Sequence, residues 1–540
     1  MHSTKDLVFE NHILDSVHGF VGLTYLEDQI EKLSIFKRLQ DISQLGLIRR
    51  IFPGALHNRY IHSLGVMHMV DQMATHIGKF SVAERKLLRL SGLLHDIAHY
   101  PLSHDLEKVY MQLAKSEINP TDITNLGVTD IETFCEKAKK DVDHFIVCCN
   151  EANIDNFDLK LTPRSNLFHH EKLAAMVLKS SMLIKKLIAD AVVSGYFYDH
   201  HEKNDYWERF EQPQAMKVAD GIIDYVCAII EGNADYKGLE YDDRTYFSRH
   251  FSAFIQLMHS ELDADRIDYL LRDASFSGVS FGTFDLGLML QNLGMKQYKD
   301  KWIVGVKPKG IACADQFMMN RYLAYTQIIH HKHSSITAKM LRTVVRWMVD
   351  TGFEKFYDRT AITKVISSHE NNNDYYEFTD SYFFARLAKL STKNKHRNVV
   401  IPPLIKSFAT FLTRFHSPAL DLEGESIFSG NSKEQLDAVL RIKDKVDTST
   451  SNLPLFYNQK LTDHIPMKKF EKKLTIYNKG RTPKLKPEKL ETFKIDRLME
   501  GFAVIDGDNL PCLLLDHPMS SLRLFYEIQT TFYREYNIPS

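Results

Sequence analysis

Cysteine is scarce, with six in 540 residues. Cys135, Cys148, Cys149, Cys227, Cys313 and Cys512 form no CxxC pair and no dense framework. That excludes a disulfide scaffold and a cysteine zinc site, and leaves a reduced thiol set. No apolar run approaches the roughly 18 residues of a membrane span, so no membrane partner is expected. The opening MHSTKDLVFENHILDS has no basic region followed by an apolar one, so it does not read as a secretory signal. A strong charge of either sign is also missing. At a net −1 there is no global field to gather nucleic acid, and any anion binding must be local. Together these absences predict a soluble, cytoplasmic protein.

What is present is a chain that is 44% hydrophobic and 25% charged, long enough for a large core and two or three lobes. Apolar residues return every three or four positions over 66–77, 82–94, 171–187, 214–230, 251–272 and 314–349, predicting helices. Ser81 with Glu84 has the form of a capping box. A hairpin is predicted from 295–298 and 302–306 across Lys299 and Asp300. The texture changes near residue 350. Loops are predicted at 371–374, 429–432 and 448–454, and strands at 473–477, 502–505 and 522–532, with Asp506, Gly507 and Asp508 as a turn. The fold class is mainly α: a helical core followed by a smaller α+β lobe. Residues 467–497 are locally basic. A solvated lysine-rich surface is the plainer reading of that stretch, and an anion or nucleic-acid site the other.

Three segments carry chemistry. In HNRYIHSLGV, residues 57–66, Arg59 and His62 stand three apart and project from one side of a helix. In LLHDIAHYPLSH, residues 93–104, an apolar helix ends in His95 and Asp96, with His99 and His104 close behind. Burying such groups is costly unless something pairs with them, and a divalent cation would. In ELDADRIDYLLRDAS, residues 261–275, Asp265, Tyr269 and Asp273 recur every fourth position, each step about 6 Å along a helix. Such a stripe has the reach from a phosphate to a sugar. A solvent-facing salt-bridged helix is the competing reading, opposed by the apolar Ile267, Leu270 and Leu271. His170 and Glu171 open another helix. Arg321, His330, His331, Lys332 and His333 crowd a single segment, as suits a triphosphate.

In order and spacing, these segments resemble the HD-domain deoxynucleoside triphosphate triphosphohydrolases. The similarity begins at LDSVHGFVGL, residues 14–23, and extends over most of 10–345. It implies an HD-domain helical core with His62, His95, Asp96 and Asp265 as metal ligands. It implies Arg59, Arg266 and Arg321 as phosphate contacts, and His99 and His104 beside the reacting phosphate, with His104 protonating the leaving 5′-oxygen. His170 and Glu171 would support that network. Gln44, Leu45, Tyr269 and Asp273 would line the sugar and base. One divalent ion per site is implied, as Mn, Fe, Ni, Zn or Mg, with further Mg accompanying the nucleotide. The partners implied are a nucleoside triphosphate and copies of the chain itself, as a dimer or tetramer.

Three departures qualify the resemblance. His104 and His170 lie 66 residues apart, which predicts an inserted subdomain at 110–165 between core segments 1–109 and 166–345, with the C-terminal lobe at 346–540. Ile329 and His330 stand where relatives often have a tyrosine and a glutamine, and the tyrosine helps exclude a ribose 2′-hydroxyl, so selectivity for deoxynucleotides is not implied. Lys32, Gln40, Leu14 and Phe20 replace contacts to an activating nucleotide, so that pocket is predicted to be absent or differently used. The alternatives are an HD-type phosphodiesterase or nuclease acting on oligonucleotides or cyclic nucleotides, and a non-catalytic nucleotide sensor.

Overall fold

The computed structural model describes residues 7–115, 167–197, 212–241, 244–329, 331–354, 357–368, 377–396, 399–414, 422–430, 453–460, 495–507, 509–522 and 529–536. The chain opens with an antiparallel hairpin, β1 (Asn11–Asp15) and β2 (Gly19–Leu23). Short helices α1 (Tyr25–Glu31) and α2 (Ser34–Lys37) lead to α3 (Arg59–Ile77), α4 (Val82–Leu94) and α5 (His104–Lys115). Then come α6 (His170–Ser180), α7 (Met182–Val193), α8 (Gln212–Ile230), α9 (Phe251–His259) and α10 (Ala264–Ser277). The fold is mainly α, as the apolar periodicity predicts.

Caps decide where the helices begin. Asn58 accepts the Ile61 N–H at 3.1 Å, so α3 starts at Arg59 and puts His62 in its first turn. The predicted capping box forms: Ser81 accepts from Glu84, and the Glu84 carboxylate accepts the Ser81 N–H. Three predicted helices are in fact broken, two of them within the core at polar caps. The 171–187 run breaks at Ser181, whose hydroxyl caps α7, and the 251–272 run breaks ahead of Asp263, which caps α10. Periodicity misses both breaks because all four helices bury an apolar face in the same core.

Helices α3, α4 and α10 pack closely where the site lies. A Cβ at Gly92 would stand 3.0 Å from the Met67 Cα, so α4 approaches the α3 backbone only because that position lacks a side chain. Gly65 is still tighter: a Cβ there would stand 1.9 Å from an Asp268 carboxylate oxygen of α10.

After α11 (Leu286–Gln291) comes the predicted hairpin, β5 (Leu293–Tyr298) and β6 (Lys301–Val306); two short strands, β3 (Leu239–Tyr241) and β4 (Arg244–Tyr246), precede it. The 314–349 run splits into α12 (Ile311–Ala324), a π-helical turn at Tyr325–Ile329 and α13 (Lys332–Asp350). Helices α14 (Arg359–Ser368), α15 (Asp380–Thr392) and α16 (Pro403–Arg414) follow, with a small pair, β7 (Lys395–His396) and β8 (Val399–Val400), between the last two.

The last described segments form two sheets. β9 (Leu422–Gly430), β10 (Leu453–Lys460) and β13 (Gln529–Tyr536) make an antiparallel sheet with β13 in the middle. β11 (Ala503–Val504) instead lies parallel to β6, and β12 (Cys512–Leu513) covers its other edge. Phe502, Val504, Leu514 and Leu515 thereby join the main core. The predicted loop at 371–374, the strand at 473–477, most of the 110–165 insertion and of the basic stretch 467–497, and His330 lie outside the described residues. Among the described residues, Cys227, Cys313 and Cys512 are free thiols, and no helix is long and apolar enough to cross a membrane.

Candidate metal and phosphate centre

Three helices bring the proposed ligands together. His62 stands in the first turn of α3, His95 and Asp96 close α4, and Asp265 stands in the first turn of α10. Ligand atoms of His62, His95 and Asp96 lie within 4.8 Å of one another, and His62 Nε2 is 2.9 Å from Asp265 Oδ1. Each imidazole is oriented from behind. His62 Nδ1 is 2.7 Å from Asp268 Oδ2, and His95 Nδ1 is 2.8 Å from the Gly92 carbonyl oxygen. With Nδ1 engaged from behind, each Nε2 faces inward, and a cation bound there would take the place of any proton on it. His95 Nε2 and Asp96 Oδ1 are buried without a hydrogen-bond partner, and His62 Nε2 faces the Asp265 carboxylate. Such orphaned donors are the signature of a site shaped for a cation, and two imidazoles with two carboxylates suit a divalent ion.

The local field agrees. Burial opposes charge on His62, yet Asp265 and Asp268 outweigh it and raise the imidazole to about 9. Burial would also raise the Asp96 carboxyl, but Arg59, His95, His99 and His62 hold it well below the usual carboxylate range. Asp268 was not picked out from the sequence, though it sits three residues after Asp265. It is fully buried and also pairs with His18 and, through two bonds, with Arg272, which reaches Asp15 at 2.7 Å.

Beside this quartet is a histidine cluster. His99 is fully buried with both ring nitrogens unpartnered, stacked on His170 at 4.5 Å and edge-on to His104 at 4.9 Å. Burial, with Arg59 and His170 nearby, keeps its imidazole neutral far below the usual histidine range. Glu107, also unforeseen, ties the cluster together: it meets His104 Nδ1 at 2.6 Å and His170 Nδ1 at 2.9 Å, and accepts the His170 N–H at 2.8 Å. Burial opposes charge on His170, but Glu107 lifts it to about 9. His104 differs from its neighbours in that half of its side chain is exposed. Glu171 points to a neighbouring group, 3.3 Å from His169 Nδ1; burial would raise its carboxyl, but that contact helps bring it down to about 2.

Arg59 bridges the two clusters, donating Nη1–H to Asp96 at 2.7 Å and Nε–H to Ser103 at 2.9 Å. Of the residues expected at the sugar and base, Asp273 and Gln44 are linked through His57. Asp273 is 2.8 Å from His57 Nε2; the His57 carbonyl accepts the Gln44 N–H, and the Gln44 carbonyl accepts from Arg59 at 3.4 Å. Leu45 is buried with Ile48, Ala55 and Ile328. Tyr269 is half-buried, and burial with Tyr325 close by raises its hydroxyl well above the usual range. Arg266 and Arg321 differ from the rest: their guanidinium groups are tied to Asp263 and Glu261, the acidic residues ahead of α10.

Residues 59–229, the stretch that carries His62, His95 and Asp96, match the profile of the HD domain family. More particularly, the chain is locally similar to the human deoxynucleoside triphosphate triphosphohydrolase SAMHD1, 36% identical over 115 residues, which are 20% of this chain and 18% of that one. Longer matches are to uncharacterized proteins. One from Mycoplasma pneumoniae is 24% identical over 338 residues, covering 62% of this chain and 59% of that one. YwfO of Bacillus subtilis is 25% identical over 300 residues, covering 55% and 46%. The chain thus spans about half the length of the curated relatives it matches. Two solved structures share the fold over almost their whole length. A hypothetical protein from Aquifex aeolicus has a TM-score of 0.56 at 18% identity, covering 98% of this chain and 96% of its own. A phosphohydrolase from Bacteroides thetaiotaomicron has a TM-score of 0.53 at 17% identity, covering 98% of this chain and 100% of its own.

Proposed function

We propose that this chain is a metal-dependent phosphohydrolase that converts deoxynucleoside triphosphates to deoxynucleoside and inorganic triphosphate. The observation that carries the reading is the convergence of His62 Nε2, His95 Nε2 and Asp96 Oδ1 beside a cluster of His99, His104 and His170 organised by Glu107. His62, His95, Asp96 and Asp265 would hold one divalent ion, which when bound supplies Lewis acidity and lowers the pKa of a water. The protein's own groups do the rest. Arg59 neutralises charge growing on the phosphate, and neutral His99 hydrogen-bonds to the phosphate oxygens. Glu107 holds His104 through Nδ1 and favours its imidazolium, whose Nε2 proton would pass to the departing 5′-oxygen. Water adds to the α-phosphorus, the bond to the 5′-oxygen breaks, and triphosphate leaves intact. Gln44, Leu45, Tyr269 and Asp273 form the sugar and base end, with Arg266 and Arg321 turning from their acidic partners to the outer phosphates. Assembly as a dimer or tetramer belongs to the same proposal.

The test is product analysis with Mn²⁺ or Mg²⁺ and a panel of deoxy- and ribonucleoside triphosphates. Nucleoside plus triphosphate is expected. Monophosphate products would overturn the reading in favour of a phosphodiesterase, and nucleotide binding without turnover in favour of a sensor.

A further inference from the structure

The turn that delivers His104 to the site has an unusual backbone. Leu102 and Ser103, neither of them glycine, have φ of 56° and 53°. Side chains rarely adopt this left-handed conformation, and it persists only where the surroundings over-determine it. The restraint comes from far along the chain. Asp380, in the first turn of α15 and 1% exposed, accepts the Leu102 N–H at 2.6 Å and the Ser43 N–H at 3.1 Å on separate carboxylate oxygens. Ser43 closes the ring, its carbonyl accepting the Ser103 hydroxyl at 2.6 Å, and the same hydroxyl accepts from Arg59. A second tie lies alongside. Arg38, fully buried, donates to the Phe378 carbonyl at 2.9 Å, and to the carbonyls of Ile97 and His99 at 2.9 and 3.0 Å.

We propose that Asp380 is a positioning residue of the hydrolytic centre: it fixes the turn at Leu102 and Ser103 against Ser43, and so sets where His104 and Arg59 stand. The inference rests on the hydrolytic reading above. It makes part of the catalytic geometry a property of α15, some 275 residues beyond the turn that it holds. Asp380 touches none of the four proposed metal ligands in these bonds, so its removal is expected to spare the metal and impair the chemistry.

The test compares full-length Asp380→Ala and Asp380→Asn with Thr379→Ala. The last removes the hydroxyl that caps α15 and leaves both amide bonds to Asp380 in place. Each protein is checked for thermal unfolding and metal content. Each is then assayed for kcat and KM with a deoxynucleoside triphosphate, for turnover of bis(p-nitrophenyl) phosphate, and for amide exchange in the peptide holding Leu102 and His104. Asp380→Ala is expected to keep its metal and lose roughly 100-fold in kcat, the scale of a displaced catalytic group. Asp380→Asn, with one acceptor oxygen, should recover part of that loss, and Thr379→Ala should keep kcat. Amide exchange should quicken only in the Asp380 variants. A folded, metal-loaded Asp380→Ala within about twofold of the parent kcat overturns the proposal. So does an equal loss in Thr379→Ala. If the parent hydrolyses no nucleotide, the functional reading fails alone, and the exchange data and the phosphodiester assay still decide for Asp380. If Asp380→Ala does not fold, the Asn variant decides by the same criteria.

Discussion

Asp268 shows how much of the site lies one residue behind the proposed ligands. Its carboxylate faces His62 Nδ1, His18 and Arg272 at once, and burial is more than offset by these partners, so it stays ionised far below the usual range. Asp268→Asn removes the charge that orients His62, and metal affinity should fall by about 10- to 100-fold. A chelator competition that gives the parent affinity would contradict this. His68 makes a separate prediction. Burial, then His18 and Arg89, lower its imidazole to about 4 from an ordinary 6.5. Between those values the unfolded chain takes up a proton that the folded chain refuses. Stability from His68 is therefore present above pH 6.5 and lost as the pH falls toward 4, by about 1.4 kcal/mol per unit. Urea midpoints across that window should show the loss in the parent and a flatter profile in His68→Leu; identical profiles would refute it. Residues such as His95 and Asp96 were legible because polar groups ending an apolar helix demand a partner. Asp268, Glu107 and His57 were not, because an acidic residue three along a helix or an isolated histidine reads equally well as surface.

Among the elements, α3 matters most, because its cap sets the phase of Arg59 and His62 together. Removing the Asn58 side chain should destabilise the protein by about 0.5–2 kcal/mol. With the first turn frayed, metal retention should weaken as well, and a melting curve with metal analysis of Asn58→Ala reads both; an unchanged Tm would show that the cap does not hold the turn. Helix existence was legible from periodicity in the six runs that showed it, with α4 agreeing at both ends. It was not legible in α5 or in α14, α15 and α16, which bury their apolar faces in the same core. Nor were the helix breaks at Ser181 and ahead of Asp263, since the apolar pattern runs on across both. The left-handed turn at Leu102 and Ser103 left no mark either. The groups that hold it come from Ser43 and Asp380, far from it in the chain.

Across the whole molecule, the centre is assembled from segments that have no local reason to meet: the start of α3, the end of α4, the turn before α5, and the start of α10. The later chain is bound into this body, through β11 on β6 and through Asp380 on Ser43 and Leu102. Reading 346–540 as a lobe of its own is therefore a proposal about folding units that must accommodate those ties. Their origin explains why the sequence pattern was silent on them, since two-residue strand pairing and single buried carboxylates carry no periodicity. All of the proposed chemistry depends on His62, His95, Asp96 and Asp265 converging to hold a divalent ion. The most direct test of that convergence is metal analysis of the purified full chain beside Asp96→Ala after equilibration with Mn²⁺. The account predicts about one ion per chain in the parent and none above background in the folded variant. Equal occupancy in the two proteins would contradict it.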